Sequence, residues 1–155
     1  MAASSEPLLP LTNHILTSNP HVQSHSVATL WDATIRREAY RTSYASLWNS
    51  TATSTGPNGE LEGMVDVILC PVGPGTAPKL GTSKYWGYTS QWNLLDYPAV
   101  VFPVDVVDGV KDGVEESKEY VGRNGKDGEN WSWWEESGAE GYKDAPISLQ
   151  LVARR

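Results

Sequence analysis

The chain of 155 residues contains one cysteine and one phenylalanine. A single Cys70 excludes an internal disulfide and fits a reducing compartment, so the expected location is cytoplasmic. The opening MAASSEPLLP has no basic start followed by an apolar run, and it does not read as a secretion signal. No apolar stretch approaches the roughly 20 residues that span a bilayer, so no membrane partner is expected. Basic excess is also missing. Net charge is −7, and the segment Asp105–Asp144 carries all of it, with twelve acidic against five basic residues. Binding a phosphate backbone takes a basic face, so nucleic acid is not an expected partner.

Catalytic signatures are equally scarce. The chain has no G-x-S-x-G, no S-x-x-K, no Cys/His pair with a family signature and no Gly-Lys-Ser/Thr phosphate loop. His21 and His25 have helical spacing, but no acidic frame surrounds them as a metal site would need. Gly73-Pro74-Gly75 resembles an anion nest, yet proline removes amides that would cradle phosphate, so it reads as a turn. Cys70 reads as an inert thiol at a strand end. Seven tryptophans and seven tyrosines are what the chain does have. They supply large buried areas and polar tips that need partners.

The pattern along the chain predicts an extended lead-in over 1–25 that packs on something else. A helix follows from Val27 to Trp48, with Ser26 as its N-cap. One face carries Val27, Leu30, Trp31 and Thr34; another carries Tyr40, Tyr44, Leu47 and Trp48. Such a drifting stripe calls for a bend or two neighbours. Arg36, Arg37 and Arg41 lie between the stripes as a solvated or ion-paired face. Thr51–Gly63 is a turn-rich loop. Val65–Cys70 is apolar almost without alternation, which suits a strand covered on both sides in a parallel or mixed sheet. A second helix runs from Lys84 to Leu95 and ends before Tyr97-Pro98. Further strands are Ala99–Val104 and Ile147–Val152. Strand, helix, strand within forty residues is a βαβ unit, so the fold class is α/β, a partial mixed sheet flanked by helices. The acidic insert at 105–144 reads as a solvated loop ending in a tryptophan cluster, Trp131, Trp133 and Trp134.

The second helix carries the candidate site. Ser83, Trp86 and Ser90 recur at spacings of three and four, so they share a face that mixes one large ring with two small hydroxyls. That composition suits a pocket wall, although aromatic faces are more often core. Tyr88, Trp92 and Leu95 read as the core face.

Tyr88, Thr89, Asn93, Leu95, Asp96, Pro98, Ala99, Val101, Pro103 and Val104 stand in a pattern that resembles the amidase signature family, whose pattern runs Y-T-x-x-x-N-x-L-D-x-P-A-x-V-x-P-V. The strand Asp66–Pro71 and the stretch Asp144-Ala145-Pro146 through Leu151 resemble two further family strands. Glu6–Leu11 and Arg37-Glu38-Ala39-Tyr40-Arg41 are similar to fungal acetamidases and general amidases. The resemblance covers nearly the whole chain apart from the acidic insert. It implies a single unit over 1–155, the C-terminal portion of an amidase fold. It also implies hydrolysis of a small carboxamide to carboxylate and ammonia, with no cofactor and no metal. Ser83, Trp86 and Ser90 match positions lining the acyl channel, and Trp86 narrows it toward small amides. The family's Ser–Ser–Lys triad lies in a Gly/Ser-rich segment with no counterpart here, so no catalytic residue is assigned. Ala153 stands where the family has glycine. Met1 falls where family members are mid-protein, and Arg155 falls where they continue. The expectation is a fragment inactive alone, needing a complementary amidase segment or forming a homo-oligomer. A tryptophan-rich binding module and an inert truncated product are the alternatives.

Overall fold

The computed structural model describes residues 6–113 and 120–155. Helix α1 (Pro10–Asn13) opens on a proline, whose missing N–H is harmless in a first turn, and runs into a π-helical turn at His14–Ser18. The lead-in is therefore partly coiled rather than extended, and its Leu9 and Leu16 are exposed.

Helix α2 (Val27–Asn49) begins where Ser26 Oγ accepts a hydrogen bond from the Thr29 amide at 3.1 Å. Its C-terminal half is docked. The Trp48 indole is buried and donates to the Val65 carbonyl at 2.7 Å. Tyr44 stands edge-on to Trp92 and to Tyr97. Arg41 Nε donates to the Leu94 carbonyl at 2.7 Å, while Arg37 and Arg41 both reach Glu38. Among the described residues the N-terminal half has no such neighbour: Val27, Leu30, Trp31 and Ile35 are each at least 60% exposed. Of the second apolar stripe, Tyr44 and Trp48 are partnered, while Leu47 is exposed.

Within the turn-rich loop, β1 (Ser54–Thr55) pairs antiparallel with β2 (Leu61–Glu62). The main sheet contains β3 (Val67–Pro71), β4 (Ala99–Val106) and β5 (Pro146–Ala153) in the order β3-β5-β4. Both pairings are antiparallel. So β3 and β4, the two strands of the expected βαβ unit, run the same way, but β5 lies between them. The link from β4 to β5 passes through the acidic segment. Helix α3 (Gly87–Leu95) covers one face of the sheet, where Trp92, Leu95 and Val152 form a core with Ile68, Cys70, Tyr44 and Tyr97. Asp96 ends the helix in the left-handed region (φ 62°), a conformation short polar side chains tolerate better than most. Tyr88, expected in the core, is 37% exposed. On the opposite face Val67 and Leu69 of β3 are exposed, so among the described residues that strand is covered on one side only, while Ile147 at the start of β5 packs in a second core.

The acidic segment is not a loop throughout. Helix α4 spans Gly125–Gly141. Asn124 caps it, its side-chain oxygen accepting from the amides of Lys126 and Asp127 at 3.0 Å. Non-helical backbone at Gly138 (φ 58°, ψ −178°) breaks α4 into a front part and a short rear turn. The rear is anchored in a second core of Val107, Ala139 and Tyr142, packed by Trp134, Ala145 and Ile147.

Candidate functional site

The segment before α3 is set by one side chain. The Trp86 indole N–H donates back to the Ser83 carbonyl at 3.0 Å, and the Trp86 carbonyl accepts from the amides of Thr89 and Ser90. The helix starts at Gly87, later than the expected Lys84, with Trp86 as its N-cap and Ser83 in the irregular segment before it, so the two do not share a helical face. A Cβ at position 87 would meet the Tyr85 hydroxyl at 2.6 Å and would displace that exposed ring.

Ser83, Trp86 and Thr89 line a cleft of about 200 Å³. Its floor is the Gly73–Thr76 loop, and Glu129, Asn130 and Trp133 of α4 close the far side. Ser90 does not reach this cleft and is exposed. Two of the three candidate residues are thus brought together and the third is not. A larger cavity of about 520 Å³ lies across the wall made by Asn130 and Trp133, beneath Trp131 and Trp134.

The α4 residues are the part of the site that sequence reasoning missed. Four glycines in the helix, at 125, 128, 138 and 141, argued for a loop. The readable counter-signal was Asn124 with Asp127 in the first turn, a helix start. Two lysines fasten α4 to the segment before α3. Lys84 pairs with Glu129 at 3.1 Å and lies 5.6 Å from the Trp133 ring centre. Lys79 donates to the Ser137 hydroxyl and lies 5.2 Å from the Tyr142 ring centre. Each thereby combines a polar contact with a cation–π contact. Lys79 and Ser137 line neither cavity.

Electrostatics follow these contacts. Hydrogen bonds from Lys126 and Lys84 hold Glu129 below the usual carboxylate range. The Arg123 amide, then the Tyr120 hydroxyl, hold Asp127 low. Burial raises the Cys70 thiol above its ordinary range. The thiol packs against the first core, as an inert cysteine would. The three clustered tryptophans face different partners. Trp131 stacks on Tyr120 at 4.6 Å and Trp134 on Tyr142 at 5.4 Å, while Trp133 lies by Lys84. Their ring partners differ, yet all three line the cavity of about 520 Å³. Chemically, the small cleft offers an indole, hydroxyl-bearing residues and a charged rim, features suited to holding a small polar group.

No helix among the described residues is long and apolar enough to cross a membrane. Residues 2–155 match the family model described as Amidase, so the match runs through the acidic segment that the motif resemblance left out. An amidase-family protein of Schizosaccharomyces pombe is 45% identical over 150 residues, which is 97% of this chain and 25% of that protein. Amidase 1 of Gibberella moniliformis is 35% identical over 155 residues, covering all of this chain and 27% of the relative. Acetamidase of Emericella nidulans is 30% identical over 155 residues, again all of this chain and 26% of the relative. Among solved structures, a fatty acid amide hydrolase superposes with a TM-score of 0.74 at 28% identity, covering 97% of this chain and 24% of that one. The chain therefore spans about a quarter of the length of these relatives. Its α/β architecture, with small antiparallel sheets, is that of part of the amidase signature fold, and the chain belongs to the amidase family.

Proposed function

We propose that this chain forms one wall of the substrate pocket, and part of the central sheet, of an amide hydrolase that converts a small carboxamide to carboxylate and ammonia. The observation that carries this reading is the cleft of about 200 Å³ shared by Ser83 and Trp86. Its volume suits a short acyl group, well below the several hundred Å³ of drug-sized sites. Trp86 would pack on the acyl group, and the Ser83 position would contribute polarity at its edge. Ser90 would come into play only if the intact enzyme deepened the wall along α3. The nucleophilic serine and its lysine would come from polypeptide outside these 155 residues. By acyl transfer, that serine would attack the amide carbonyl, release ammonia, and leave an ester for water to hydrolyse.

The reading includes the prediction that the chain alone does not hydrolyse acetamide. A direct test replaces the matching quarter of the Emericella nidulans acetamidase with residues 2–155 and measures ammonia release from acetamide. Activity in the chimera, reduced by Trp86→Ala mainly through KM, supports the wall assignment. Robust turnover by the 155-residue chain without any added segment sinks the reading. The requirement for a complementary amidase segment belongs to the same proposal, and the exposed faces of α2 and the sheet support it. Cytoplasmic location remains part of the proposal, resting on the single cysteine.

A further inference from the structure

We propose that Gln150 is a positioning residue that sets the width of the Ser83–Trp86 cleft from beneath it. This rests on the assignment of that cleft as the substrate wall. Gln150 is 1% exposed, in the central strand of the sheet, on the face that α3 covers. Its side-chain amide donates to two backbone carbonyls, Pro71 at 2.8 Å and Tyr88 at 2.8 Å. Those carbonyls belong to the two elements that frame the cleft. Pro71 ends β3 and leads directly into the loop that forms the floor. Tyr88 lies in the first turn of α3, between Trp86 and Thr89 of the wall.

A buried primary amide with both N–H groups engaged fixes distance and angle between two backbones, because moving either leaves a donor and a carbonyl unpaired in a dry site. The register makes the role specific. Gln150 stands opposite Cys70 in β3 and Val101 in β4, so the residues beside it in its row cannot supply the same pair of donors. An apolar residue of the same length would fill the space and keep the sheet. It would free the loop and the helix start to separate. The inference is that volume at position 150 supports the fold, while the amide supports the cleft.

Two measurements on the 155-residue chain test this, with 5-fluorotryptophan incorporated and resonances assigned by single Trp→Phe variants. First, Gln150→Met keeps the bulk and removes the donors. The fluorine signals of Trp86 and Trp133 should shift or broaden while that of Trp31, far along α2, stays in place. If the variant melts cooperatively and none of these signals moves, the proposal is overturned. Second, the unaltered chain has three glutamines, at 23, 91 and 150. The side-chain amide protons of Gln150 should exchange with water far more slowly than those of Gln23 and Gln91. Equal exchange overturns the proposal, and this measurement decides alone should Gln150→Met fail to fold. The acetamidase chimera separates the two readings. If Gln150→Met moves Trp86 and Trp133 but leaves KM for acetamide unchanged, the clamp stands and the substrate-wall assignment falls.

Discussion

The two faces of the paired strands β3 and β5 have opposite surroundings, whereas β4 is exposed on both, Val101 at 54% and Val100 at 66%. On one face, Ile68, Cys70, Gln150 and Val152 lie under α3, and Val152 is fully buried. On the other, Leu69, Leu151 and Val100 stand side by side in register and are 58%, 37% and 66% exposed. The difference teaches that apolar content in a strand reports what the strand is built to meet, while burial reports what this chain supplies. Exposed apolar side chains standing together on a strand surface are a place for another layer. On the proposed function, that layer is the rest of the amidase.

The strongest way to break the comparison is to cut matched leucines from the two faces. Leu95→Ala, in the α3 core, should cost about 2–5 kcal/mol in urea denaturation, the usual range for a buried leucine that leaves a cavity. Leu69→Ala, on the exposed face, should stay within about 0.5 kcal/mol. Equal losses would mean that the outer face is covered in solution, and sedimentation at rising concentration would then identify self-association as the cover. The two ends of α2 sharpen the same contrast. Trp48→Phe leaves the Val65 carbonyl without its indole donor and should cost about 1–3 kcal/mol. Trp31→Phe, on the undocked half, should have no measurable effect on the urea midpoint.

How much of this could be read from the sequence follows the same division. Helix α2, its Ser26 cap and the end of α3 before Tyr97-Pro98 were legible, because caps and prolines act locally. The three main strands were legible to within two residues from their apolar runs. The order β3-β5-β4 was not, since no local signal says that a strand about forty residues later inserts between two earlier ones. The strands β3 and β4 of the βαβ unit run the same way, but their neighbour in the sheet is β5, antiparallel to both. Ser83 and Trp86 line one cleft, joined by the Trp86 indole hydrogen bond across the irregular segment before α3, which helical periodicity does not describe. Ser90 was placed with them on the assumption that the helix began earlier. Helix α4 was hidden by its glycines, and with it Asn130 and Trp133. The acidic character of that segment was correct and said nothing about its backbone.

Helix α4 offers a smaller comparison between two of its own glycines. Gly138 lies at φ 58° with extended ψ, a region essentially reserved for glycine, and Gly125 opens the helix with no neighbour within reach of an added Cβ. Gly138→Ala should cost about 1–3 kcal/mol, because alanine must either strain or straighten the break between the front part and the anchored rear. Gly125→Ala should instead stabilise by roughly 0.5–1 kcal/mol by removing unfolded-chain freedom. Thermal melting of the two variants should therefore move in opposite directions. A neutral Gly138→Ala would show that the break is incidental.

The smallest expected effect concerns how the front of α4 is held. Lys126 and Lys84 hold Glu129 below the ordinary carboxylate range, so its carboxylate binds protons less readily in the folded chain than in the unfolded one. The unfolded state then takes up more protons as pH falls, and the stabilisation is present above the unfolded pKa and lost as pH drops through the folded value. Because both partners are solvated, the whole contribution should stay under about 1 kcal/mol and shrink with added salt. The fluorine signal of Trp133, which lies by Lys84, should move on acidification below the ordinary glutamate range. Glu129→Gln should flatten that movement and leave the signal of Trp48, in the docked half of α2, unchanged. A Trp133 profile that still titrates in Glu129→Gln would assign the pH response to another acid on α4. The fastening would then rest on the cation–π contacts, which acid does not break.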